Sequence, residues 1–131
     1  MVIDSSALIA MLRNEPEREA FSRAVMADHV RLLSAVTKLE ARIVALARFG
    51  PVAADALDDM LARIAPTVVP FDDHQAAVAR EAFARFGKGR HRAGLNFGDC
   101  ASYALAVTEA EPLLFKGTDF AATDAEVVNV G

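Results

Sequence analysis

Met1-Val2-Ile3-Asp4-Ser5-Ser6-Ala7-Leu8-Ile9 runs from an apolar triplet through an acid and two hydroxyls into a second apolar pattern. The triplet is too short for a helix and suits a very short buried strand. The oxygens of Asp4, Ser5 and Ser6 are of the kind that satisfy free N–H groups at a helix start. The stretch predicts a strand that turns directly into a helix carrying Leu8, Ile9 and Leu12, with Asp4 at the corner.

The same grammar recurs along the chain. Arg31-Leu32-Leu33 reads as a strand, and Ser34 caps a helix whose Val36, Leu39, Ile43, Leu46 and Ala47 share a face until Gly50-Pro51 stops it. Thr67-Val68-Val69-Pro70 is a third strand, capped by Asp72 or Asp73 into a helix presenting Ala76, Ala79, Ala82, Phe83 and Phe86 and closing at Gly87. Leu113 to Phe115 is a fourth, followed by a turn at Gly117-Thr118-Asp119 and a last strand at Val127-Val128. Further helices start near Pro16, carry Val52, Leu57, Leu61 and Ile64, and run from about Phe97 to Ala110. Short apolar strands alternating with longer helices predict an α/β fold, a short parallel sheet covered by helices on both faces. In such folds ligands bind beyond the carboxyl ends of the strands.

The bulk properties narrow the function classes. At 131 residues the chain suits a single domain over 1–131, with enough length to bury a core. The apolar share of 53% is rich in Ala and lacks Trp, which favours close-packed helices. One cysteine, Cys100, excludes an internal disulfide, no export leader precedes Asp4, and no apolar run is long enough for a membrane span; a cytoplasmic protein is expected. A net charge of −4 argues against bulk coating of nucleic acid but leaves room for a local basic face. From Phe83 to Gly98 there is no acid, so Arg85, Lys88, Arg90 and Arg92, with Lys116 further on, form a candidate phosphate-contacting strip.

Four acids stand where strands end or helices begin: Asp4, Glu40, Asp99 and Asp119. Each has an ordinary reading, with Asp4 and Asp99 as helix-start residues, Glu40 as a surface acid paired with Arg42 or Lys38, and Asp119 as a turn former. Gathered in one crevice, however, carboxylates raise one another's pKa and are costly without a cation or a shared proton. Oxygen-only donors suit Mg²⁺ or Mn²⁺, and a carboxylate-held ion is a layout for phosphodiester hydrolysis. His29, His74 and His91 show no zinc spacing, and Gly87-Lys88-Gly89 follows a helix and so lacks the context of a nucleotide loop. Cys100 reads as a small buried residue and His91 as a loop residue.

Val2-Ile3-Asp4-Ser5-Ser6-Ala7-Leu8, Ser34-Ala35-Val36-Thr37-Lys38-Leu39-Glu40, Asn96-Phe97-Gly98-Asp99-Cys100 and Leu113-Leu114-Phe115-Lys116-Gly117-Thr118-Asp119-Phe120 together resemble the PIN-domain ribonucleases, specifically the VapC-type toxins of toxin–antitoxin pairs. The resemblance spans essentially the whole chain. It implies a PIN-like three-layer α/β/α fold and an acidic quartet of Asp4, Glu40, Asp99 and Asp119 holding Mg²⁺ or Mn²⁺ for RNA cleavage. Ser6 matches the hydroxyl that supports the first aspartate. For the fourth position Thr118, Asp119 and Asp124 all stay open. A homodimer, a cognate VapB-type antitoxin and a structured RNA substrate, transfer or ribosomal, are implied as well.

Two rivals belong to other classes. A phosphoacceptor receiver domain needs a second acid after the first and an aspartate closing a central strand; Ser5 follows Asp4 and no such aspartate exists. A catalytically inactive RNA- or protein-binding module of the same fold would have no need of the intact acidic set.

Overall fold

The computed structural model describes residues 1–130. Strands β1 (Val2–Ile3), β2 (Leu32–Ser34), β3 (Thr67–Val69) and β4 (Leu113–Leu114) lie parallel in the order β3-β2-β1-β4. Helices α1 (Ser5–Leu12), α2 (Arg18–Ala27), α3 (Ala35–Phe49), α4 (Pro51–Ile64), α5 (Asp73–Phe86) and α6 (Phe97–Glu109) connect them.

Register explains how strands so short hold the molecule together. Val2 stands opposite Leu32 and Leu113, and Ile3 opposite Leu114. Because strand side chains alternate between faces, Ile3, Leu33 and Leu114 pack with α1, α2 and α4, while Val2, Leu32 and Leu113 pack with α5 and α6. The three-layer α/β/α expectation is met. The chain moves from β1 outward to β2 and β3, then returns to β4 on the other side of β1, so the switch in strand order, the place where such folds bind ligands, lies at the end of β1.

Side-chain oxygens start four of the helices. Asp4, Ser34, Asp72 and Asn96 each accept a backbone N–H of the first turn. Of the two caps open for α5, Asp72 is the one used, bonded to the Gln75 N–H at 2.9 Å. Helix α2 begins at Arg18, two residues after Pro16, because Asn14, at φ 54°, takes the chain out of α1 and Pro16 lies in the turn that follows.

The apolar set expected on one face of α3 does share a face, but it points outward: Leu39, Ile43 and Leu46 are 61%, 55% and 49% exposed, and the face that packs inward is Thr37, Ala41 and Ala45. Helix α3 lies against α1, α4 and α6, and such close approach admits small side chains, which turns the large ones outward. The expected last strand reduces to a single parallel bridge between Leu113 and Val127, since the two-residue β4 offers its outer edge only one ladder step. Among the described residues no helix is long and apolar enough to cross a membrane.

Truncating a fully buried core residue should cost far more than truncating an exposed one on the same helix. Leu57→Ala is expected to lower urea-unfolding stability by about 2–5 kcal/mol. Val52→Ala, at a position 82% exposed, should stay within about 0.5 kcal/mol of the parent protein.

Candidate active site

Asp4 leaves β1 and caps α1, and its side chain is only 2% exposed. A carboxylate removed from water must recover its hydrogen bonds within the protein. Oδ2 accepts the Ser6 backbone N–H at 3.0 Å and the Ser6 hydroxyl at 2.6 Å; Oδ1 accepts the Ser102 hydroxyl at 2.5 Å. Ser102 gives its one proton to Asp4, so in the 3.1 Å contact between Thr37 Oγ1 and Ser102 Oγ it is Thr37 that donates. Both hydroxyls are fully buried. A carboxylate has about four lone-pair sites, so Asp4 keeps one direction free, on Oδ1. The Ser6 hydroxyl also accepts the Lys116 N–H at 3.0 Å, which ties the chain leaving β4 to the same corner.

Glu40 comes from the second turn of α3. Its Oε1 accepts the Ser5 hydroxyl at 2.7 Å, while Arg42, its ordinary surface partner, reaches Asp58 at 3.1 Å. Burial raises the Glu40 pKa, the Ser5 hydrogen bond opposes that, and the Asp4 charge adds to it. Space for Glu40 comes from Gly98 at the start of α6, where a Cβ would overlap the Glu40 carboxylate.

Asp99 is locked by a reciprocal cap. Its Oδ2 accepts the Asn96 N–H at 3.0 Å, and its own N–H donates to Asn96 Oδ1 at 2.9 Å. Burial pushes the Asp99 carboxyl up to about 6 against the pull of the Asn96 hydrogen bond, and the charges of Asp4, Asp119 and Glu40 raise it further. The four acids therefore share one electrostatic neighbourhood. Asp119 reaches it from an exposed position at the start of a 3-10 turn, Phe120–Ala122, where its side chain makes no capping hydrogen bond. Thr118 beside it is exposed. Asp124 is engaged elsewhere, accepting from the Tyr103 hydroxyl and from Arg85.

Among the described residues no three His, Cys, Asp or Glu side chains stand assembled as a metal cage. The donor chemistry nevertheless fits a hard divalent cation. The gathered groups are all carboxylates, and Asp99 and Glu40 both have pKa values raised first by burial and then by the charges of neighbouring acids.

The basic residues divide. Lys88, Arg90 and Arg92 are exposed on the loop between α5 and α6. Arg85 instead pairs with Asp124 at 3.1 Å, and Lys116 pairs with Glu15 and Glu17. His91 serves the loop itself, its Nδ1 accepting the Ala93 N–H at 3.0 Å and its ring meeting Phe86 edge-on. Burial and the Asp99 charge push the Cys100 thiol up to about 11, so it stays protonated at neutral pH.

Sequence reasoning missed Ser102, Thr37 and Gly98. One signal was available: Ser102 is a small hydroxyl residue inside the apolar run from Cys100 to Val107, a place where a buried O–H must have a partner.

Residues 1–126 match the PIN domain family, and the chain belongs to it. Within that family it is of the VapC type: Ribonuclease VapC30 of Mycobacterium tuberculosis is 53% identical over 128 residues, which cover 98% of each chain. Among solved structures, M. tuberculosis VapC20, described as a Sarcin-Ricin loop cleaving toxin, aligns with a TM-score of 0.78 at 18% identity over 98% of both chains. A toxin-antitoxin complex from Klebsiella pneumoniae aligns at 0.71 and 16% identity, over 99% of this chain and 97% of that one.

Two outcomes follow from the site's electrostatics. Ser102→Ala leaves a buried acceptor on Asp4 unpaired and should lower urea-unfolding stability by about 1–3 kcal/mol. For Asp99 the folded pKa of about 6 lies above the ordinary 3.8, so between those values the folded state holds more protons than the unfolded one and stability falls as pH rises. Asp99→Asn removes that penalty. In metal-free buffer its melting temperature should exceed the parent's at pH 7 to 8, with the gain gone below about pH 4.

Proposed function

We propose that the chain is a Mg²⁺- or Mn²⁺-dependent endoribonuclease toxin that hydrolyses phosphodiester bonds in structured RNA and is neutralised by a cognate VapB-type antitoxin. The observation that carries this reading is the gathering of carboxylates at the Asp4 corner, where burial pushes the Asp99 carboxyl up to about 6 and the charges of Asp4, Asp119 and Glu40 add to the rise. Acids crowded against their own repulsion are an arrangement that a bound cation relieves. The names of the relatives support it further: VapC30 is called a ribonuclease and VapC20 a Sarcin-Ricin loop cleaving toxin.

Asp4, Glu40, Asp99 and Asp119 are the residues that would hold the ion. When bound, a hard divalent cation supplies Lewis acidity that activates water and offsets charge developing on the phosphodiester. The chain's own contribution is orientation. Ser6 and Ser102 fix the Asp4 carboxylate, Ser5 fixes Glu40, and the Asn96 cap fixes Asp99, so the oxygens need little reorganisation on binding. Lys88, Arg90 and Arg92 on the neighbouring loop are exposed cations that would meet RNA phosphates, with Lys116 beside the Asp4 corner.

A homodimer belongs to this reading, supported by the exposed apolar stripe of Leu39, Ile43 and Leu46 on α3. The toxin-antitoxin complex with a like fold supports the antitoxin partner. An RNA substrate places the protein in the cytoplasm.

The test is cleavage of total cellular RNA by purified, antitoxin-free protein with Mg²⁺ or Mn²⁺, with EDTA, and with Asp99→Asn. Discrete fragments that vanish with EDTA, with Asp99→Asn, in acid and at high salt are expected. Folded, metal-supplied protein that leaves RNA intact would overturn the enzyme in favour of a binding module.

A further inference from the structure

Asp119 is the least supported of the four acids. It is exposed, opens a turn of three residues, and makes no capping hydrogen bond of its own. Yet the chain three residues before it is tied to the Asp4 corner by the Lys116 N–H on the Ser6 hydroxyl at 3.0 Å, and its charge is among those that raise the Asp99 carboxyl, so the backbone that carries it must be held from outside the turn.

The holding groups lie just beyond it. Phe120 is 2% exposed and meets Phe115 edge-on at 5.0 Å. The Thr123 hydroxyl donates to the Phe120 carbonyl at 2.6 Å and accepts the Ala125 N–H at 3.1 Å, which closes the turn. Asp124, between them, is gripped twice. Its Oδ1 accepts the Tyr103 hydroxyl from α6, and its Oδ2 accepts Arg85 Nη2 from α5 at 3.1 Å. Arg85 lies 4.6 Å over the Phe86 ring, and Phe86 lies 5.8 Å from Tyr103, so the grip closes into a ring of four side chains across two helices.

Tyr103 stands one helical turn after Asp99 on α6. The same helix therefore carries Asp99, whose carboxyl the Asp119 charge helps to raise, and the hydroxyl that anchors the segment bearing Asp119. A buried tyrosine needs a partner for its O–H, and a phenylalanine would fill the space against Phe86 without one. The exposed Arg85–Asp124 pair alone would contribute little, since surface ion pairs are weak; joined to the tyrosine hydrogen bond it fixes the direction of Asp124.

We infer that Asp124, held by Tyr103 and Arg85, is a positioning residue that sets Asp119 against Asp99. This rests on the cation-binding reading proposed above and deepens it, and it gives Arg85 a task other than contact with RNA. A plain structural staple would alter melting alone, whereas a positioning residue also alters cation affinity, and does so only through Asp119.

The experiment is Mn²⁺ titration of the full chain without RNA, followed by the electron-paramagnetic signal of free Mn²⁺, with melting temperatures measured in parallel. The variants are Tyr103→Phe, Asp124→Asn, Asp119→Asn and the Asp119→Asn/Asp124→Asn double. Asp124→Asn and Tyr103→Phe are expected to weaken Mn²⁺ binding about tenfold, the scale of orienting partners around metal ligands. The double variant should bind no more weakly than Asp119→Asn alone. Parent-like Mn²⁺ affinity in Asp124→Asn and Tyr103→Phe would overturn the positioning role, whatever their melting temperatures. Losses that add in the double variant would overturn it too. A parent protein that takes up no Mn²⁺ would sink the cation reading itself, and the positioning role with it.

Discussion

A carboxylate buried at the end of β1 is the constraint from which the rest of the site follows. Left unpaired away from water, Asp4 would cost several kcal/mol. The donors that prevent this come from both ends of the chain, Ser6 on α1 and Ser102 on α6, with Thr37 on α3 behind Ser102. Satisfying one side chain thus fixes α6 against both β1 and α3. That apposition brings the start of α6 close enough for Gly98 to matter, since only a residue without a side chain leaves room for Glu40.

The acids have double employment. Asp4 and Asp99 are helix caps as well as members of the cluster, so each is held by backbone N–H groups that the fold must satisfy in any case. Their cost is electrostatic. Hydrogen bonds from Ser5 and Asn96 draw the Glu40 and Asp99 pKa values down, and burial with mutual repulsion outweighs them. Structure and charge therefore pull in opposite directions here, which is the mark of a place arranged for something besides stability.

Much of this was legible in the sequence because the signals were local. Apolar triplets followed by Asp or Ser mark the strand-to-helix corners, and those corners fall where the structure has them. What escaped depended on contacts between distant segments. The Leu39, Ile43 and Leu46 spacing correctly reads as one apolar face of α3, but periodicity does not say whether such a face meets the core or the surface. Ser102 and Gly98 carry no helical signal at all; their roles exist only once α6 lies over Asp4 and Glu40. Arg85 looked like part of a basic strip because its partner, Asp124, is 39 residues away.

The topology also bears on when the cluster can exist during synthesis. β1 stands between β2 and β4, and the Asp4 corner is closed by Ser102 and by the Lys116 N–H. A nascent chain that has made only its first half has the first two acids but neither the helix that neutralises the burial of Asp4 nor the strand that flanks it. Domains that depend on such distant pairings complete themselves late. The cluster is therefore assembled only after the segment through Asp119 has emerged, and half a chain carries acids without the setting that gathers them.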